Sequence, residues 1–218
     1  MITSPHQALI DTAIAMEQAG FAVAKSGNVS VRTGTGMLIT PSGVPYRSLQ
    51  PPDLVQMDLE GRVLQGRLAP SSEWQFHAAI YHARDDAAAI VHTHSPAATA
   101  LSSAHQSIPA FHYTVAMAGG NNIRCAPYAT FGTAALATEA VAGLCQRRAV
   151  LLANHGVIAI GASLAAAFAL ACEVESLADR YLRLLAAGLT PQLLDDEEMA
   201  RVAAQFERYK RYDDLPDS

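Results

Sequence analysis

The chain has 218 residues, of which 50% are apolar and 16% are charged, so general disorder is excluded. The formal net charge of −5 and the absence of a basic stripe argue against nucleic acid as a partner. The first residues lack a signal-peptide pattern, and the longest apolar run (162–172) is about half a membrane span. We therefore expect a cytoplasmic protein without membrane contact. The three cysteines are odd in number and widely spaced, as is typical of core residues in a reducing compartment.

Hydrophobic periodicity predicts helices and strands that alternate along the chain. Gly20 and Gly188 are expected to stop two of the helices, and Ser72 with Gln75 fits a capping box. The predicted helices are 5–19, 72–84, 96–103, 133–145, 163–187 and 196–211. The predicted strands are 26–32 (entered through a turn), 37–40, 53–58, 62–64, 87–92, 123–126 and 149–153.

Hairpins in the middle of the chain, with helices at both ends and between them, indicate an α/β sandwich with a largely antiparallel sheet. No segment has the composition of a linker, so residues 1–218 are expected to form a single domain. The last residues, 213–218, are expected to be a loose tail.

The most informative stretch is an apolar run that leads into His92 and His94. Residues at i and i+2 of a strand share a face, so the two imidazoles can bind one divalent metal. By themselves they could equally be ordinary surface histidines at a strand end. His155, which ends another strand just before Gly156, offers a third imidazole, and three histidines with one open position are typical of a catalytic zinc site. The other histidines share no such spacing and are expected to have no functional role: His6, His77, His82, His105 and His112.

Glu73 lies in the first turn of a predicted helix. A carboxylate is common there because of the helix dipole, but beside a metal it can also be a ligand and proton carrier.

Three short turns, Gly27-Asn28, Ser42-Gly43 and Ser71-Ser72, are rich in small hydroxyls and free amides, which favour an anion such as phosphate. Taken singly, each is an ordinary turn. No nucleotide-binding loop and no metalloprotease motif is present.

Several motifs in order resemble the class II aldolase/adducin family, over about residues 7–210. The resemblance rests on Gly27-Asn28-Val29-Ser30-Val31-Arg32, Ile39-Thr40-Pro41-Ser42-Gly43, Pro70-Ser71-Ser72-Glu73-Trp74, His92-Thr93-His94, Ala126-Pro127-Tyr128-Ala129-Thr130-Phe131-Gly132-Thr133 and Asn154-His155-Gly156. It implies a three-layer sandwich with a mostly antiparallel central sheet flanked by helices. It also implies a cyclic homotetramer with active sites between subunits.

The resemblance assigns roles to the candidate residues. It implies that His92, His94 and His155 bind one Zn²⁺ per subunit, and that Glu73 is a further metal ligand and the catalytic base and acid. Tyr113 matches a proton donor that reaches a neighbouring subunit's site, and Tyr209 a second tyrosine near the aldehyde. The substrate phosphate is implied to lie among Gly27, Asn28, Ser42, Gly43, Ser71 and Ser72.

The implied activity is the reversible, zinc-dependent cleavage of a ketose 1-phosphate to dihydroxyacetone phosphate and a small aldehyde such as L-lactaldehyde. L-fuculose 1-phosphate is the first candidate substrate, and 5-deoxyribulose or methylthioribulose 1-phosphate is the nearest alternative. Glu73 and Tyr113 argue against a ribulose-5-phosphate 4-epimerase, whereas a family dehydratase or 3-oxo-tetronate phosphate decarboxylase stays open. An adducin-like binding domain is disfavoured because all three histidines are present. Lys25 stands where the family usually has a small hydroxyl residue in the phosphate turn. The 105–112 region and the C-terminal segment also differ from the family pattern, and because they border the implied aldehyde pocket, the identity of the aldehyde is left open.

Overall fold

A computed structural model describes residues 4–34 and 36–213, including all side chains except those of Ala24 and 209–213. Its described strands form one sheet in the order β4-β3-β2-β1-β5-β8-β7-β6. Among the strand pairs of residues 4–34 and 36–213, only β6–β7 is parallel. The strands are β1 (Asn28–Thr33), β2 (Gly36–Ile39), β3 (Val55–Met57), β4 (Val63–Gln65), β5 (Ala89–Thr93), β6 (Arg124–Ala126), β7 (Ala149–Leu152) and β8 (Gly156–Gly161).

The helices begin and end at residues suited to those positions. Side-chain hydroxyls of Ser4, Thr133 and Ser163 accept backbone N–H bonds at three helix starts. Gly20 and Gly188 follow two helices with φ of 76° and 68°, a left-handed conformation that glycine adopts easily, so both predicted stops are confirmed. The α-helices are α1 (Pro5–Gln18), α2 (Trp74–Ala83), α3 (Pro96–Ser103), α4 (Ala134–Gly143), α5 (Leu164–Ala186) and α6 (Asp196–Asp213).

Helices cover both faces of the sheet because its central strands are apolar on both sides. In β5, Val91 packs into a core with α1, α3 and α5, while Ile90 packs on the opposite face against α2 and α4. Strand residues alternate faces, so one strand contributes to both cores. The predicted α/β fold, with a mostly antiparallel sheet flanked by helices, is confirmed.

The antiparallel pairing gathers several chain segments at one edge of the sheet. At this edge β1 and β8 begin, and β2, β5 and β7 end. The segment that leads into α2 joins them, because Pro70 forms a bridge with Pro41 and the Ser71 amide donates to the Thr40 carbonyl at 3.0 Å. Each predicted metal or phosphate residue therefore lies at or next to this edge.

Three local predictions are wrong. The cysteines are not core residues, because Cys145 is exposed and Cys125 and Cys172 are half-buried.

The other two wrong predictions concern a strand and a helix cap. Strand β8 is absent from the predicted strands, yet it is central in the sheet, between β5 and β7. Its apolar run follows β7 after only three residues, a tight turn in which Asn154 has a φ of 55°. The Ser72 capping box does not form, because α2 begins at Trp74, without a side-chain cap. Glu73 occupies the N-cap position itself.

Among residues 4–34 and 36–213, no helix combines the length and the apolarity needed to cross a bilayer.

Candidate metal centre and active site

Three imidazoles converge at the sheet edge, as their positions in the sequence predict. The ring centroids of His92, His94 and His155 lie 4.8–4.9 Å apart. The Nε2 atoms of His92 and His94 face each other at 3.0 Å. His92 and His94 come from the end of β5, and His155 from the turn between β7 and β8. The structure therefore brings together residues more than sixty positions apart.

Glu73 is the fourth member of this group and is almost completely buried. Its Oε2 lies 3.2 Å from His92 Nε2, and its Oε1 lies 3.0 Å from His155 Nε2. Oε1 is nevertheless without an aligned hydrogen bond, as expected of an oxygen that faces an ion site. One ligand atom from each of Glu73, His92, His94 and His155 lies within 4.8 Å of every other, so the four can hold one metal ion.

The proton positions suit metal binding. His92 Nδ1 lies 3.0 Å from the Val157 carbonyl oxygen, which can only accept, so Nδ1 carries the proton and Nε2 keeps a free lone pair. Burial, together with repulsion from His92 and His155, lowers the pKa of His94 to about 3, so this imidazole is neutral near pH 7. Neutral imidazoles are the form that ligates a metal. The donor set therefore fits a divalent cation.

Glu73 is held in its ionised form. Burial alone raises the pKa of its carboxyl, but attraction to His92 and contacts with both His155 and His92 outweigh burial, so the pKa lies well below its usual range. A carboxylate that stays ionised can both bind a cation and accept a proton.

A cavity of about 320 Å³ opens beside the four candidate metal ligands Glu73, His92, His94 and His155, which we call the metal group. Its walls include Lys25, whose φ is 69°, and the aromatic residues Tyr128 and Phe131, which are mostly exposed. All six predicted phosphate residues also line it: Gly27, Asn28, Ser42, Gly43, Ser71 and Ser72. This volume is at the lower end of the range for small-molecule sites.

Gly27 is required at the cavity wall for two reasons. Its φ is 78°, which strains residues that have a Cβ. A Cβ there would also lie 2.7 Å from the His92 carbonyl oxygen. Glycine therefore permits the close approach of β1 to the histidine strand.

Of the two predicted tyrosines, Tyr113 has a described side chain, and it does not join the candidate metal ligands of its own chain. Tyr113 is 51% exposed and lies outside the cavity, with its ring stacked on Phe206 at a centroid distance of 6.1 Å. The side chain of Tyr209 lies outside the described residues.

Sequence reasoning missed a set of buried polar residues beneath Glu73. His77 is on α2, as predicted, but it is fully buried, and it lies 2.5 Å from Asn28 Oδ1 and 2.7 Å from Ser30 Oγ. The Asn28 amide nitrogen in turn donates to Glu73 Oε2 at 2.9 Å, so the Asn28 side chain links His77 to Glu73. The available signal was spacing: Asn28 and Ser30 are polar at i and i+2 of a strand, and His77 follows Glu73 by one helical turn.

Comparisons of the sequence and of the structure with known proteins match the same family, the class II aldolases. A sequence profile described as "Class II Aldolase and Adducin N-terminal domain" matches residues 7–182. A 5-methylthioribulose-1-phosphate/5-deoxyribulose-1-phosphate aldolase of Rhodospirillum rubrum is 49% identical over 95% of this chain and 93% of its own length. An L-fuculose phosphate aldolase of Escherichia coli K12 is 48% identical over 92% of this chain and 93% of its own. A solved structure of an L-fuculose 1-phosphate aldolase superposes with a TM-score of 0.90 at 40% identity, over 94% of this chain and 98% of its own.

We expect His77 to make the metal-free protein less stable in mild acid. Burial, with the nearby His92, lowers the pKa of His77 to about 3 in the folded protein. The unfolded chain takes up this proton near pH 6.5, so it binds more protons between about pH 6.5 and about pH 3. Stability is therefore unaffected by His77 above about pH 6.5 and falls below it, by at most about 1.4 kcal/mol per pH unit.

Urea unfolding at a fixed protein concentration, between about pH 7 and about pH 5, tests this expectation. The free energy of unfolding of His77→Leu should fall less steeply with acid than that of the wild type. His82→Leu, which removes an exposed imidazole from the same helix, is the matched control. Parallel curves for wild type and His77→Leu would contradict the assignment of a buried neutral imidazole.

Proposed function

The chain belongs to the class II aldolase and adducin family and is an aldolase, a carbon–carbon lyase; we propose that it uses zinc to cleave a deoxyketose 1-phosphate reversibly. The products would be dihydroxyacetone phosphate and a small aldehyde such as L-lactaldehyde. One observation carries the proposal: Glu73, His94 and His155, which cluster with the buried His92, line the same cavity as the predicted phosphate residues.

The substrate proposal rests on the named relatives. L-fuculose 1-phosphate and 5-deoxyribulose or methylthioribulose 1-phosphate are all candidates, because relatives named for these activities are nearly equally similar to the chain. These candidates share the phosphate end and differ at the aldehyde end. The aldehyde end therefore decides among them.

We assign the metal to His92, His94 and His155, with Glu73 as the fourth ligand when no substrate is bound. Three imidazoles and a carboxylate are typical of catalytic zinc. When bound, the ion supplies a Lewis acid that stabilises negative charge on substrate oxygens as the carbon–carbon bond breaks.

Glu73 is assigned to the proton on carbon. In the condensation direction it removes a proton from dihydroxyacetone phosphate, and in cleavage it returns the proton to the same carbon. Its depressed pKa keeps it ionised at neutral pH before substrate binds, and only the ionised form can accept a proton. Tyr113 and Tyr209 are assigned to the aldehyde end, where a phenol, still protonated at neutral pH, donates to the aldehyde oxygen during condensation.

The phosphate is assigned to the three turns at the cavity wall. Gly27 and Asn28 form the first turn, and Ser42 with Gly43 the second. Ser71 and Ser72 lie just before Glu73, the N-cap of α2, and the free N–H groups and dipole of this helix favour an anion. Lys25 on the same wall carries a positive charge that also suits a dianion.

We further propose that the chain is a single domain that assembles into a cyclic homotetramer in the cytoplasm. Tyr113 lies away from the metal group of its own chain and is half exposed, so a neighbouring chain's site is where its phenol would act. Three free cysteines are in keeping with a reducing compartment.

A coupled assay for dihydroxyacetone phosphate tests the reaction and ranks the substrates. Release is expected from the wild type with L-fuculose, 5-deoxyribulose or methylthioribulose 1-phosphate, and a chelator should abolish it until zinc is restored. The fastest substrate identifies the aldehyde. No release from any of them by metal-loaded protein would replace the aldolase with a dehydratase, decarboxylase or epimerase, and metal-free native protein would favour a binding domain.

Glu73→Gln tests the proton carrier. The amide keeps the shape of the side chain but cannot carry a proton at neutral pH, so we expect kcat to fall by about 10²- to 10⁴-fold. The three histidines should still hold about one metal ion per chain, measured by elemental analysis. Glu60→Gln, an exposed change on a turn, is the control. Undiminished turnover of Glu73→Gln would remove Glu73 from the mechanism.

Mixing two impaired variants tests whether sites are shared between chains. Tyr113→Phe and Glu73→Gln alone should each be nearly inactive. When they are co-expressed in equal amounts, about a quarter of the sites in a cyclic tetramer combine an intact Glu73 with a neighbour's intact Tyr113. Activity should therefore recover to about a quarter of the wild-type level. No recovery in tetramers shown to contain both chains would place Tyr113 outside the neighbouring site.

A further inference from the structure

A ladder of polar side chains runs behind Glu73, between strand β1 and helix α2. Three of its residues are alternate positions of β1, and three are spaced by one helical turn on α2. Every contact in the ladder joins one element to the other. The strand residues are Asn28, Ser30 and Arg32, and the helix residues are Glu73, His77 and Tyr81.

The direction of each hydrogen bond follows from the ionised carboxylate at one end. Glu73 Oε2 can only accept, so the Asn28 amide nitrogen faces it at 2.9 Å, and Asn28 Oδ1 therefore faces His77 Nε2 at 2.5 Å. Because Oδ1 can only accept, His77 must carry its proton on Nε2. Its Nδ1 is then bare.

At the end of the ladder away from Glu73, the hydroxyls of Ser30 and Tyr81 have the remaining hydrogen bonds. The Ser30 hydroxyl lies 2.7 Å from His77 Nδ1 and must donate to it. With the proton of Ser30 used, the Tyr81 hydroxyl, 2.8 Å away, donates to Ser30 Oγ. The Arg32 guanidinium lies over the Tyr81 ring, 4.8 Å from the ring centroid. All donors thus point toward Glu73.

The protonation states agree with this direction. Burial and the nearby His92 lower the pKa of His77 to about 3, so the ring carries one proton at neutral pH. Burial raises the pKa of the Tyr81 hydroxyl, so it stays a donor.

We propose that His77 is a positioning residue for Glu73, acting through Asn28 and oriented by Ser30 and Tyr81. This inference rests on the proposed function, in which Glu73 carries the proton. The reason is that the Asn28 amide is fixed at both ends: Glu73 accepts from its nitrogen and His77 donates to its oxygen, so the side chain cannot move away from the carboxylate. Without His77 the oxygen loses its donor and the amide is free to shift, whereas with His77 Glu73 keeps its donor and its orientation toward the substrate carbon.

A pair of substitutions at His77 separates positioning from simple packing. His77→Leu fills the space but removes the donor, so kcat should fall by about 10- to 100-fold, while KM and the metal content stay close to the wild type. His77→Gln places an amide N–H near the position of Nε2 and should recover most of kcat. Tyr81→Phe and Ser30→Ala should have smaller effects on kcat, with Ser30→Ala the larger of the two.

The control is Ser102→Ala, which removes another fully buried hydroxyl, from α3, and should leave kcat unchanged. An unchanged kcat in His77→Leu, or equal losses in His77→Leu and His77→Gln, would overturn the inference.

The tautomer of His77 is an independent measurement that needs neither turnover nor a bound metal. In wild-type protein labelled with ¹³C and ¹⁵N, the ring signals assigned to His77 through its own Cβ should be those of a protonated Nε2 and a bare Nδ1. A proton on Nδ1 would overturn the inference even if no substitution at His77 allows folding. If the wild type releases no dihydroxyacetone phosphate, the proposed function is wrong, but the tautomer still tests the hydrogen-bond directions assigned to the ladder. If the wild type is active and His77→Leu is equally active, the proposed function stands and the positioning role of His77 is wrong.

Discussion

The buried carboxylate of Glu73 is the constraint on which the rest of this sheet edge depends. An ionised carboxylate without partners in the protein interior costs several kcal/mol. The surrounding groups are arranged accordingly, with His92 and the Asn28 amide close to Glu73 Oε2 and His155 close to Oε1. The oxygens and imidazole nitrogens that would hold a cation are therefore held close together by protein contacts alone, and a site ordered in advance needs little reorganisation during catalysis.

Strand register decides which groups can meet around this carboxylate. Asn28 in β1 is directly opposite His92 in β5, and both point toward the face that α2 covers. A slip of one residue in this pairing would turn His92 to the opposite face and separate it from Glu73. The two apolar cores, by fixing the register from both faces, thereby maintain the chemistry at the edge.

Helix α2 connects two parts of the site. Its N-terminus presents Ser71, Ser72 and Glu73 to the cavity, and its first turns place His77 and Tyr81 against β1. The same helix therefore combines the proposed anion-binding end, the proposed proton carrier and the residues that we propose orient this carrier. Its packing against the sheet, through residues such as Phe76, determines how accurately these groups are placed.

What the sequence by itself determined was local. The i, i+2 spacing of His92 and His94, the turns at Ser42-Gly43 and Ser71-Ser72, and most helices follow from periodicity and turn chemistry, which act over a few residues. Only the tertiary structure decided the position of β8 in the sheet, the distance of Tyr113 from the metal group of its own chain, and the burial of His77. The bonds from Asn28 to Glu73 and His77 join residues 45 and 49 positions apart. Contacts of this kind depend on how β1 packs against α2, and no pattern within either segment specifies that packing.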